Sequence, residues 1–190
     1  MDNSEVFTFM EGKTIDLVPL NSEHAKIYAR WINNPKIRRF ICNRLPNTIE
    51  DIKKWFEPTK EGLKNNIHFE IWHKTDKKPV GIIGFYYIDW FDRHGEAYIY
   101  IGETDYWGKN IAPEATELFF KYAFNDANFN KIIAEIAVEN KPSLSAAEKA
   151  GYIYEGTLKQ HWYIDGKYVD VKTFRLLKEE WIKKNEEKMI

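Results

Sequence analysis

Apolar and polar positions change period along this chain, and the changes outline its elements. Ile15-Asp16-Leu17-Val18-Pro19-Leu20 alternates like a strand. Asn21 or Ser22 then caps a helix over 23–33, with Ala25, Tyr28, Ala29 and Ile32 on one face and Asn33-Asn34-Pro35 as its stop. Thr48 caps a second helix, Ile49 to Phe56, ended by Pro58. Ile67 to Trp72 and Pro79 to Ile88 read as strands around the polar turn 74–78, and Glu96 to Ile101 as another. Pro113 suits the first turn of a helix whose Ala115, Leu118, Phe119, Tyr122 and Ala123 fall at i, i+3, i+4, i+7 and i+8. Lys131 to Val138 has the length of a buried strand. Asn140 to Ala150 is a short helix with Pro142 early and Gly151 just past its end. Ile153–Tyr163 and Tyr168–Leu177 are strands joined at Asp165-Gly166, a strong hairpin signal. The expectation is a mixed α/β (α+β) domain: a twisted mixed sheet of about seven strands flanked by about four helices. A single domain is expected over residues 1–190, with its core at about 15–181, a short lead-in and a charged C-terminal helix. Val6 to Met10 is apolar enough for that lead-in to dock.

Composition narrows the classes. Net charge is −1, so a global field for nucleic acid is absent. Aromatic residues make up 16%, more than a core alone needs, so some are expected to line a groove, with Tyr86, Tyr87, Trp90, Phe91 and His161 as candidates. Cys42 is the one cysteine, read as local packing, which excludes an intramolecular disulfide and a cysteine metal cluster. The five histidines lack ligand spacing, so no metal site is expected. Neither a signal-type segment nor an apolar run of membrane-spanning length is seen, and a cytoplasmic protein without membrane or nucleic-acid partners is expected. The mixed Lys/Glu tail reads as a solvated helix.

The stretch Trp107-Gly108-Lys109-Asn110-Ile111-Ala112 stands between a strand and a helix. A helix start presents unpaired N–H groups and the positive end of the helix dipole, a natural anion site. Gly108 permits close backbone approach, and Asn110 tolerates positive φ. No Walker-type or G-x-G-x-x-G motif is present. Downstream, Asn140 is followed by Ser143, then Glu148-Lys149-Ala150-Gly151-Tyr152 and Glu155-Gly156.

With Tyr106-Trp107-Gly108-Lys109, these segments resemble the GNAT superfamily of N-acetyltransferases, and within it the RimJ/RimL-like branch that acetylates ribosomal-protein N-termini. The resemblance covers about Ile15 to Trp181. It implies acetyl-CoA as cofactor. The pantetheine arm would lie against Tyr100, Ile101 and Gly102 in a gap between splayed strands, often at a bulge; the pyrophosphate would bind Trp107, Gly108, Lys109, Asn110, Ile111 and Ala112; Asn140 would hold the arm from the neighbouring strand end. Glu96, acting through water, would be the base, and Ser143 the acid that protonates the leaving thiolate, since Ala147 stands where many relatives carry a tyrosine. Asn110 departs from the usual glycine. The favoured acceptor is a protein or peptide N-terminal α-amine, with a polyamine, amino sugar or aminoglycoside as the alternative, and a non-catalytic acyl-CoA-binding module as the reading from another class. Either a monomer or a homodimer fits. Each of these residues also has a purely structural alternative: Glu96 as a surface residue, Ser143 and Asn140 as helix-capping groups, Lys149 as a solvated charge.

Overall fold

The computed structural model describes residues 6–41, 45–57 and 62–187. Cys42 and Pro58 lie outside the described residues. The sheet has eight strands: β1 (Met10–Glu11), β2 (Ile15–Pro19), β3 (Ile67–His73), β4 (Lys78–Asp89), β5 (His94–Ile101), β6 (Lys131–Ala137), β7 (Ile153–Ile164) and β8 (Lys167–Leu177). Their order is β1-β2-β3-β4-β5-β6-β8-β7. The strand beyond the expected seven is β1, the docked lead-in: Met10 pairs with Leu17 and Glu11 with Asp16. Phe9 follows it in, packing its ring against Phe69 and Tyr122.

The described helices are α1 (Ala25–Asn33), α2 (Pro35–Arg38), α3 (Ile49–Lys53), α4 (Ile111–Lys121), α5 (Lys141–Ala150) and α6 (Lys178–Glu187). The expected stop at Asn34-Pro35 is also a start. Asn34 accepts the Lys36 N–H and Pro35 occupies the first turn, so α1 ends and α2 begins at one point. Thr48 and Asp51 cap α3 reciprocally. Gly151, at φ +105°, closes α5 by donating to the Ala147 and Glu148 carbonyls.

Two cores explain why β4 is apolar on both faces. On one side α4 packs Ile111, Ala115 and Phe119, and the turn after it Phe124, into a core with Phe85, Ile83 and Phe129. On the other α1 and α3 pack Tyr28, Trp31 and Ile52 against Ile82 and Tyr100. The second layer is pinned by buried Glu70, which Tyr28 Oη and His24 Nδ1 (2.7 Å) both reach. A buried carboxylate is tolerable only with such partners, and the bond to Glu70 raises the His24 pKa. Gly102 is a second fixing point: a Cβ there would overlap the Trp31 ring, whose indole N–H donates to Glu103 at 2.9 Å.

Every strand pairing is antiparallel except β5 with β6, which extends only over His94–Lys131, Gly95–Ile132 and Glu96–Ile133. Beyond Glu96, β5 continues beside β4 to Ile101 and β6 beside β8 to Ala137, so the sheet forks in its middle. The irregularity near the fork lies on β4: Tyr86 faces Glu96 and Asp89 faces His94, which inserts an extra residue where Tyr87 has φ +51°.

Candidate active site

The β5 arm of the fork leads into the turn at the start of α4. Gly108 has φ +74° with open space around a would-be Cβ, so backbone conformation, not crowding, favours glycine there. Asn110 is left-handed at φ 61°, ψ 14° and its side chain makes no cap. Among the described residues, the N–H groups of Gly108, Asn110, Ile111 and Ala112 have no hydrogen-bond partner, and Pro113 has no N–H. Four donors at a helix N-terminus fit a pyrophosphate in number and charge. The expected donor set narrows, because the Trp107 N–H goes to the Thr104 carbonyl (3.1 Å) and the Lys109 N–H to the Tyr106 carbonyl (3.3 Å).

The expected pantetheine edge narrows in the same way. The Gly102 N–H donates to Val80 on β4 at 2.8 Å. Alternation along a strand therefore turns the main-chain groups of Tyr100 and Gly102 toward β4, and those of Ile101 and Ile99 toward the fork. The Ile101 carbonyl already accepts the Trp107 indole N–H at 2.9 Å. Tyr100 is buried against Trp31, and its hydroxyl has no partner. Ile99, which the sequence reading passed over, is the residue that replaces Tyr100 and Gly102 at this edge.

Asn140 stands just beyond the end of β6. Its Oδ1 accepts the Ser143 N–H at 3.3 Å, so it caps α5, and its amide nitrogen makes no hydrogen bond among the described residues. Ser143 is half-buried in the first turn of α5, and its hydroxyl is likewise unpartnered among them. Ala147 is buried on the inner face of that helix. Lys149 is exposed, and its carbonyl accepts the Lys184 ammonium.

Glu96 lies at the last β5–β6 pair, on the sheet face that carries Tyr98 and Tyr100. Burial, with Glu135 adding repulsion, pushes its pKa up to about 7. Glu135 sits two residues beyond Ile133 on β6, on that same face, and its carboxylate is 3.9 Å from His161 Nε2 of β7. Glu135 escaped the sequence reading; its one signal was a carboxylate inside the apolar run Lys131 to Val138. Of the proposed groove aromatics, Tyr86 lines a cavity of about 360 Å³ together with Trp55, His68 and Tyr98. The others go elsewhere: the bulge turns Tyr87 into solvent, and in the turn after β4 Phe91 is exposed while Trp90 packs on Phe129; His161 is exposed on β7 beside Glu135. The Asp165-Gly166 turn reaches back across the fork, where Asp165 pairs with Arg39 Nε at 2.7 Å.

A model of the acetyltransferase (GNAT) domain matches residues 15–153. The chain is 28% identical over 172 residues to the N-acetyltransferase p20 of Bacillus licheniformis, covering 88% of this chain and 94% of that protein. It is 28% identical over 160 residues to a spermidine N(1)-acetyltransferase of Vibrio cholerae, covering 78% and 91%. Among solved structures, the spermidine N-acetyltransferase of Vibrio cholerae in complex with CoA and spermine superposes with a TM-score of 0.82 at 22% identity, over 89% of this chain and 98% of that one. No described helix is long and apolar enough to cross a membrane. With the forked sheet and the donor-rich turn in place, the match over most of the chain identifies it as a member of the GNAT acetyltransferase family, an N-acetyltransferase that uses acetyl-CoA.

Proposed function

We propose that the chain acetylates a small primary amine of the polyamine class. The observation that carries this reading is the carboxylate pair Glu96 and Glu135 on one face of the fork, with Glu96 poised at a pKa of about 7. A pair of carboxylates attracts a cationic acceptor, and a base of that pKa is matched to taking a proton near neutral pH. The curated relatives add weight: spermidine N(1)-acetyltransferases of Vibrio cholerae and Escherichia coli are 28% and 24% identical to the chain.

Acetyl-CoA supplies an activated thioester whose carbonyl an amine attacks. The N–H groups of Gly108, Asn110, Ile111 and Ala112 would hold its pyrophosphate, and Ile99, Ile101 and the Asn140 amide its pantetheine arm. Glu96, directly or through water, removes the proton from the acceptor ammonium, since only the neutral amine is a nucleophile. The N–H groups of the β5 arm near Ile101 would be the donors available to a developing oxyanion. As the C–S bond broke, Ser143 Oγ would pass its proton to the leaving sulfur and regain one, through solvent, from the attacking nitrogen, so that the amide and the free thiol form.

The second reading is a peptide α-amine, as in the RimJ/RimL-like branch. The open cavity favours it, because Trp55 and Tyr86 each keep 40% of their surface exposed and a chain end could enter. Free α-amines also need less help in deprotonation, with a pKa near 8 against about 10.4 for alkylamines such as lysine. A competition assay with acetyl-CoA, spermidine and short peptides bearing free N-termini separates the two. A kcat/KM for spermidine exceeding that for every peptide by tenfold or more is expected. The reverse order would transfer the assignment to peptide α-amines.

A further inference from the structure

The cavity between α3 and the β3–β5 face has a wall made of rings. Tyr86 and Tyr98 stack with centroids 4.3 Å apart and planes 15° from parallel. His68 stands edge-on to both, at 5.5 and 5.7 Å, and Trp55 lies 6.3 Å from His68. Glu96 belongs to this surface, directly across from Tyr86 and two residues before Tyr98 on the same face of β5. Glu57 stands at the outer end.

We propose that Trp55 and Tyr86 form an aromatic cage that holds the alkylammonium chain of the acceptor, with Tyr98, itself covered by Tyr86 and Tyr100, as the backing of Tyr86, Glu96 beside it on the same sheet face and Glu57 at the rim; the proposal rests on the small-amine reading above. The face of an aromatic ring carries negative potential, so rings around one space attract a cation without a full counter-charge. Such a wall suits an acceptor with several ammonium groups along an apolar chain. The rings contact the methylenes, and the carboxylates of Glu96 and Glu57 take the charges.

His68 completes the arrangement as a positioning residue. Its Nδ1 and Tyr98 Oη are hydrogen-bonded at 2.6 Å, which fixes the Tyr98 ring. Burial, reinforced by the nearby Lys64 charge, pushes its pKa down to about 4, so no imidazolium competes with a bound ammonium at neutral pH. Of the two cations at the rim, Lys54 is engaged by Asp51 at 2.7 Å, and Lys64 lies on the exposed approach to β3. Trp55 and Tyr86 remain 40% exposed, although packing alone would favour covering such large rings.

Calorimetric titration of spermidine into the CoA-bound protein tests the cage, because CoA lacks an acetyl group and no transfer intervenes. Trp55→Leu and Tyr86→Leu should each weaken spermidine binding about fivefold to twentyfold, while Tyr86→Phe, which keeps the ring, stays within about twofold. CoA affinity and melting temperature, measured on the same samples, should match wild type and show that the variants fold. Wild-type spermidine affinity in both leucine variants, equal losses in Tyr86→Leu and Tyr86→Phe, or no spermidine binding at all would each overturn the cage. The acceptor reading fails separately: spermidine that binds in the cage but is never acetylated removes that reading and leaves the cage standing.

Discussion

Two parts of the proposed site meet at the fork, a cofactor arm and an acceptor arm, and they are built on different principles. The cofactor arm is a backbone device, with donors supplied by nearly consecutive residues at the start of α4 and by one side-chain amide at the end of β6. The acceptor arm is a side-chain device: Glu96, Glu135, His161, Tyr86 and His68 come from five different strands and meet only because the register brings them together. A backbone site tolerates any residue that keeps the dihedrals, and Asn110 keeps φ at 61° without being a glycine. A side-chain site depends on each residue's chemistry, and there single substitutions are expected to do most harm.

The largest effect should follow from Glu96→Gln. It keeps the shape and removes the base, so kcat should fall by about 10² to 10⁴, with the KM for acetyl-CoA unchanged. In the wild type, activity should fall as pH drops through about 7, because only the carboxylate accepts a proton. Stability runs the other way. A carboxylate whose pKa is raised in the folded state favours folding when protonated, and this contribution is lost as pH rises from the unfolded value of about 4.3 through 7. Glu96→Gln should therefore melt no lower than wild type at pH 8 while being nearly inactive. A variant that retains activity would return Glu96 to the role of a surface carboxylate.

Ser143→Ala tests the junction between the arms. Loss of the proton donor should lower kcat by about a hundredfold, the lower end of what a positioned acid contributes. The helix cap should survive, since it uses the Ser143 backbone N–H. Undiminished turnover in a steady-state assay would make Ser143 a helix-start residue and nothing more.

Asn110→Val probes the backbone arm. A β-branched residue at φ 61° costs roughly 1–2 kcal/mol, and any relaxation turns the Asn110 and Ile111 N–H groups off their common target. The KM for acetyl-CoA should rise about tenfold with kcat little changed. Asn110→Gly should match or improve on wild type. If valine leaves the KM unmoved, the turn does not bind the pyrophosphate.

The contrast also explains what the sequence could show. Pro113, the Thr48 cap, Gly151 and Asp165-Gly166 act within a few residues, so the elements they bound are legible from local pattern. Gly108 and Asn110 belong to that class, and the structure gives both the positive φ their residue types suggest. Two elements were hidden for physical reasons. A two-residue strand such as β1 has no period, and Asn34 ends one helix with the same geometry that begins the next. The groove aromatics were misjudged for two reasons: the β4 bulge at Tyr87 breaks the alternation, and Trp90 and Phe91 fall in the turn beyond β4, where no period holds. Trp55 and His68 carried no local signal for a cavity, since sheet pairing sets His68 beside Tyr98 and the helical turn after α3 brings Trp55 over His68.

Glu135→Gln is the finest test of the acceptor arm, and the smallest effect. Burial is the larger cause of the raised Glu96 pKa, and Glu135 the smaller. Removing the Glu135 charge should therefore let the Glu96 pKa fall but leave it above the ordinary carboxylate value. The acidic limb of the pH–rate profile should move toward lower pH, with the plateau rate nearly preserved. The same change removes the carboxylate facing His161 and halves the negative charge that draws in a cationic acceptor, so the KM for spermidine should rise about threefold, and less at high salt. An acidic limb that stays fixed while the KM rises would confine Glu135 to attracting the acceptor. A limb that moves while the KM stays constant would make it a tuner of the base alone, and the carboxylate pair would then no longer support a polyamine.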